Sequence, residues 1–137
     1  MGLTCCLIVD DHEQLRNLMS SWLKSIFPEV YFIDAVSGEA ALDLSSRYHP
    51  QVVLMDVGLP GMNGIEAARQ IKRDFPQTFV IIHTIYDEQA YRLDAAEAGV
   101  DAFIVKSRSQ SDLIPILSKA FAALNNSKNE EIPAKRQ

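Results

Sequence analysis

Disulfides, metal clips and membrane spans are poorly supplied in this sequence. Its only cysteines among 137 residues, Cys5 and Cys6, are adjacent and run into Leu7-Ile8-Val9. They read as opposite-facing parts of a buried strand rather than as a bridge or a ligand pair. A reducing, cytoplasmic setting follows as the expectation. The three histidines, His12, His49 and His83, show no metal-ligand spacing. No apolar run approaches the length of a membrane span, and the amino terminus lacks the basic region and apolar stretch of a signal peptide. Met1-Gly2 does not open a myristoylation motif, because position 6 is Cys6 where Ser or Thr is required. A net charge of −5 without a Lys/Arg-rich run argues against nucleic-acid or anionic-membrane binding by this segment. Neither G-x-G-x-x-G nor G-x-x-x-x-G-K-[ST] occurs, so nucleotide binding has no sequence support.

What is present is enough apolar residue, 47%, for one domain with a real core. Short apolar runs at Cys5–Val9, Val30–Val36, Val52–Met55, Phe79–Ile82 and Ala102–Val105 predict five buried strands. Helical periodicity separates them. It is clearest over Leu15, Leu18, Met19, Trp22, Leu23 and Ile26, and again over Leu113, Ile116, Leu117, Ala120, Phe121 and Leu124. Weaker patterns cover Glu39–Arg47, Gly64–Asp74 and Glu88–Ala98, with Pro28, Pro50, Pro76 and Gly99 as stop signals. Strict alternation of strand and helix implies right-handed crossovers, hence an α/β fold with a parallel sheet covered on both faces. Residues 1–124 form the expected domain. Residues 125–137 lose apolar periodicity and read as a polar tail or linker.

In an open parallel sheet, ligands bind beyond the carboxyl ends of the strands. Asp10 and Asp11 follow the first strand, Asp56 the third, Thr84 the fourth and Lys106 the fifth. Three carboxylates at one edge repel one another unless a cation sits among them, and an all-oxygen donor set of this kind suits Mg²⁺. A carboxylate can attack phosphorus to give an acyl phosphate if the charge on the equatorial oxygens is neutralised. Asp56 is the candidate nucleophile. Lys106 can hold a phosphoryl oxygen as a point charge and Thr84 as a hydroxyl donor.

Asp10-Asp11, Asp56, Leu59-Pro60-Gly61-Met62-Asn63-Gly64, Thr84 and Lys106 together resemble the receiver domain of two-component response regulators, over roughly Thr4 to Leu124. The resemblance implies a flavodoxin-like (βα)5 fold with strand order 2-1-3-4-5. It implies a signalling phosphoacceptor rather than an enzyme, with Asp56 phosphorylated by a sensor histidine kinase or phosphotransfer protein. Asp11 and Asp56 would ligate Mg²⁺, Asp10 through water, and Gly58 through its backbone carbonyl. Thr84 and Phe103 match the family's switch pair, which on phosphorylation reshapes the surface of the fourth helix, fifth strand and fifth helix. Phosphorylation-dependent dimerisation is a further implication. Gly58 and Tyr86 occupy positions that flank the path of hydrolytic water in the family; a bulky Tyr86 and a side-chain-free Gly58 predict slow self-dephosphorylation. Ser107 stands where many members have proline, and Phe103 lacks a tyrosine hydroxyl. The Asp-Asp-His opening is similar to receivers that precede a helix-turn-helix DNA-binding domain, which implies control of transcription through a domain outside this chain.

Blander assignments exist for each residue. Asp11-His12-Glu13-Gln14 fits a capping box, Lys106 and Thr84 are separately unremarkable at strand ends, and an aromatic such as Phe103 is expected in a core anyway. The Leu59–Gly64 loop could be turn chemistry alone. Two rival functions remain open: a phosphate-independent interaction domain, and a Mg²⁺-dependent phosphatase with an aspartyl nucleophile. The second is disfavoured because its usual acid two residues after the nucleophile is here Gly58.

Overall fold

The structure is a computed structural model that describes the backbone of residues 4–136 and the side chains of residues 4–125. Among the described residues five strands alternate with five α-helices: β1 Cys5–Val9, α1 Glu13–Ile26, β2 Tyr31–Ala35, α2 Gly38–Tyr48, β3 Val52–Met55, α3 Gly64–Asp74, β4 Phe79–Thr84, α4 Gln89–Glu97, β5 Ala102–Val105 and α5 Ile114–Arg136. All pairings are parallel and the order is β2-β1-β3-β4-β5, as the resemblance implied. The second strand, which supplies no site residue, is an edge strand.

Strand alternation divides the core into two. Leu7, Val9, Val53, Met55, Val80 and Ile82 point to one face, where Ala41 of α2, Ala67 and Ile71 of α3 and Ala95 of α4 cover them. Cys6, Ile8, Leu54, Ile81 and Ile104 point to the other, under Leu23 of α1 and Leu117 and Phe121 of α5. Fully buried strands read as continuous apolar runs for this reason. Both cysteines are free and buried, and burial pushes both thiols up from their usual range, which makes them poor redox sensors.

Two features of the helices are not set by periodicity. The apolar stripe of α1 does not all face the core: Leu23 is sealed, but Leu18 is 67% and Leu15 48% exposed. Arg16 takes the inward position near the sheet edge, donating to Asp34 Oδ2 and to the Asp10 carbonyl, both at 2.8 Å. The stripe is thereby split between the core and an open groove of about 390 Å³ beside Asp10 and Asp56. Second, the backbone of α5 continues to Arg136, past Leu124, the last position of its apolar periodicity. Apolar periodicity reports a buried face rather than helicity, so it says nothing about where a backbone ladder stops. No helix among the described residues is long and apolar enough to cross a membrane.

Candidate functional site

Parallel pairing sets the carboxyl ends of β1 and β3 side by side. The Asp10 amide donates to Ala35 O and the Asp56 amide to Val9 O, both at 3.1 Å, so each aspartate leaves its strand with its backbone still anchored to a neighbour. Asp10 and Asp56 are buried, at 6% and 7% exposure. One Asp10 oxygen accepts from the His12 amide at 2.9 Å and one Asp56 oxygen from the Val57 amide at 2.7 Å. The other oxygen of each is taken by Lys106, whose ammonium lies 2.7 Å from Asp10 Oδ2 and 3.0 Å from Asp56 Oδ2. Burial by itself disfavours the Lys106 charge and is the largest single effect. The hydrogen bonds and charges of Asp10 and Asp56 together outweigh it and hold the ammonium above the ordinary lysine range.

Asp11 is only partly covered and belongs to the same end of β1. It does not cap α1: that helix starts after His12, and no side-chain hydrogen bond caps it. Asp10, Asp11 and His12 instead bring ligand atoms within 4.8 Å of one another. His12 Nδ1 lies 3.6 Å from Asp10 and 3.4 Å from Asp11, a proximity that the spacing of the three histidines along the chain does not show. The charge set fits a hard divalent cation. Asp10 is shared between two groupings, with Asp11 and His12 on one side and with Asp56 through the Lys106 ammonium on the other, so a divalent ion at Asp10 would meet oxygen donors of the type it prefers.

The loop after Asp56 is more than turn chemistry. A Cβ on Gly64 would stand 1.6 Å from the Asp56 carbonyl oxygen, so only glycine lets α3 begin against the backbone of Asp56. The Gly64 amide donates to Val57 O at 2.9 Å, and Asn63 caps α3 by accepting from the Glu66 amide. Gly58 lies beneath Tyr86, where an added Cβ would meet the ring edge at 3.4 Å. Tyr86 packs in turn on Tyr91, with ring centroids 5.2 Å apart.

Thr84 ends β4 and is fully buried; its hydroxyl accepts from the Tyr86 amide at 3.3 Å. Phe103 is half-buried, and its ring carries the Arg92 guanidinium at 4.7 Å, a partner the sequence did not suggest because cation and ring come from different elements. His83 carries no signal of its own in the sequence. It is buried at the end of β4, its Nε2 lies 2.7 Å from Ser109 Oγ, and burial followed by the nearby Lys106 charge lowers its pKa from 6.5 to about 4. Lys106 opens a short 3-10 turn, Lys106–Arg108, that leads through Ser109–Leu113 into α5.

Residues 6–118 match the response regulator receiver domain family. The chain belongs to that family. The response regulator protein VraR of Staphylococcus saprophyticus is 35% identical over 117 residues, covering 84% of this receiver and 55% of that protein. The receiver thus spans about half the length of the curated relatives it matches. Among solved structures, a LuxR-family DNA-binding response regulator from Staphylococcus aureus superimposes with a TM-score of 0.78 at 31% identity, covering 86% of this chain and 98% of that one. The response regulator TrrA of Thermotoga maritima, solved in complex with Mg(2+)-BeF, gives a TM-score of 0.76 at 27% identity over 85% of this receiver and 98% of that chain.

Proposed function

We propose that Asp56 is the phosphoacceptor of this receiver and that a sensor histidine kinase or phosphotransfer protein is the donor. The observation that carries this reading is the Lys106 ammonium held between Asp10 and Asp56 at 2.7 and 3.0 Å. In the transfer, an Asp56 carboxylate oxygen attacks phosphorus, the bond from phosphorus to the donor nitrogen breaks, and the imidazole departs with its electron pair and is protonated. Lys106 follows the incoming phosphoryl group as a counter-charge, and the Thr84 hydroxyl, which accepts from the Tyr86 amide and so keeps its own proton free, offers that proton as a hydrogen bond. Asp11, Asp56 and the Gly58 carbonyl would hold Mg²⁺, with Asp10 contributing through water. When bound, the ion would neutralise part of the charge on the transferring phosphoryl group.

Thr84 and Phe103 are the proposed switch. Movement of Thr84 toward a phosphoryl oxygen would let Phe103 leave the Arg92 guanidinium and turn inward, altering the surface of α4, β5 and α5. The resulting output is transcriptional control through a domain outside this chain, or a homodimer, in the cytoplasm. Residues 125–137 serve as the connection to it. The chain is no enzyme for external substrates; it performs its own phosphorylation and a slow self-dephosphorylation, slow because Tyr86 covers Gly58 and screens the acyl phosphate from water.

Intact mass after incubation with Mg²⁺ and a small acyl-phosphate donor tests the reading. One phosphoryl adduct on the native chain and none on Asp56→Asn is expected. No adduct on either, with the fold intact, would establish a phosphate-independent interaction domain instead.

A further inference from the structure

Lys106 is the one proposed phosphoryl contact that the sheet does not hold. Pairing between β4 and β5 ends with His83 opposite Ile104 and Thr84 opposite Val105, so the backbone of residue 106 lies just past the last rung. A lysine side chain also carries about 2 kcal/mol of rotamer entropy, so its aim depends on how firmly its backbone is fixed. The turn that follows supplies a clamp. The Lys106 carbonyl accepts both the Ser109 amide and the Ser109 hydroxyl, the latter at 2.8 Å. Because a serine hydroxyl has a single proton, and that proton goes to Lys106 O, the 2.7 Å contact with His83 must be a bond donated by His83 Nε2–H to Ser109 Oγ. A chain of hydrogen bonds thus runs from β4 through Ser109 to the carbonyl of Lys106.

Such a histidine is a costly way to fill space. It follows Val80, Ile81 and Ile82 on a buried strand, and an aliphatic residue would pack there without a polar group to satisfy. Its bond to Ser109 reaches across to the element that bears Lys106.

We infer that His83 and Ser109 are positioning residues for phosphoryl transfer, fixing the turn that aims the Lys106 ammonium at Asp56. The inference rests on the reading of Asp56 as the acceptor. It assigns the pair no contact with the phosphoryl group. Their whole effect passes through Lys106.

The test measures the rate of adduct formation on Asp56 from a small acyl-phosphate donor at saturating Mg²⁺, in the full chain. His83→Leu and Ser109→Ala are each expected to slow it by about ten- to a hundredfold, the range for misplacing a reacting group by a fraction of an ångström to an ångström. The double variant should be no slower than the worse single one, and Ser109→Thr, which keeps the hydroxyl, should stay near the native rate. In a Lys106→Met background neither substitution should slow the reaction further, a result that general loosening of the fold would not produce. An unchanged rate in Ser109→Ala, or an equal loss in the Lys106→Met background, would overturn the inference. If His83→Leu does not fold, Ser109→Ala in the half-exposed turn decides by itself.

Nuclear magnetic resonance separates this inference from the phosphoacceptor reading. The native chain should show the Nε2–H tautomer of His83 and two distinct Lys106 Hε resonances, which collapse to one on Ser109→Ala as the side chain becomes free to average. If the native chain takes no adduct, the reading of Asp56 fails, and the clamp is then decided by these resonances. Unchanged Lys106 resonances in Ser109→Ala reject it.

Discussion

Single residues at the site are held by contacts tight enough to make sharp predictions. Gly64→Ala places a methyl 1.6 Å from the Asp56 carbonyl, backbone against backbone, so the start of α3 must move. We expect a loss of about 3 kcal/mol in chemical denaturation together with slower adduct formation on Asp56. Tyr86→Ala removes the ring above Gly58 and should speed decay of the Asp56 phosphate several-fold, about threefold to tenfold, with little effect on stability; an unaltered decay rate would remove shielding as the explanation. His83 gives a pH dependence with a defined sign. Its folded pKa of about 4 lies below the ordinary 6.5, so between these values the unfolded chain binds a proton that the folded chain refuses. Stability from this group is intact above pH 6.5 and is lost as pH falls towards 4, by about 3 kcal/mol in all. Denaturation at pH 7 and pH 4.5 should show a smaller difference for His83→Gln than for the native chain.

At the scale of elements, α1 is the informative case. Its periodic stripe is a single feature in the sequence and two in the structure, since Leu23 is sealed while Leu18 lies open on the groove side. Leu23→Ala should therefore cost about 3 kcal/mol, and Leu18→Ala should stay within about 0.5 kcal/mol, as read by urea midpoints. Equal losses at both positions would mean that α1 sits with its stripe turned further inward. The reason for its actual setting is Arg16, whose bonds to Asp34 and the Asp10 carbonyl fix the helix against the carboxyl ends of β1 and β2.

For the whole molecule, the arrangement of charge matters more than its total. The buried Asp10 and Asp56 share one ammonium, and Asp11 adds a further carboxylate beside Asp10, where Mg²⁺ is proposed to bind. Binding to the folded state alone stabilises by mass action. At a free Mg²⁺ concentration a hundredfold above the dissociation constant the gain is about 2.7 kcal/mol, which corresponds to a Tm rise of roughly 10 °C for a domain of this size. Scanning calorimetry with and without the ion should show that rise in the native chain and most of it lost in Asp56→Asn. An equal rise in both would place the ion elsewhere.

Much of this was legible along the chain because parallel strands buried on both faces must be continuous apolar runs, and because such a sheet presents chemistry where those runs end. Asp10, Asp11, Asp56, Thr84 and Lys106 could be picked out for that reason, and Cys5 and Cys6 assigned to a strand. The rest depends on groups brought together from distant elements. Nothing local pairs Arg92 with Phe103, sets Tyr86 over Gly58, or distinguishes Leu18 from Leu23. The sequence by itself determined the element order, the sheet-end carboxylates and the family. Tertiary structure alone decided that Lys106 bridges Asp10 and Asp56, that Gly64 has no room for a side chain, and that His83 reaches Ser109, because each is a distance between strands and turns whose spacing is set by packing rather than by sequence separation.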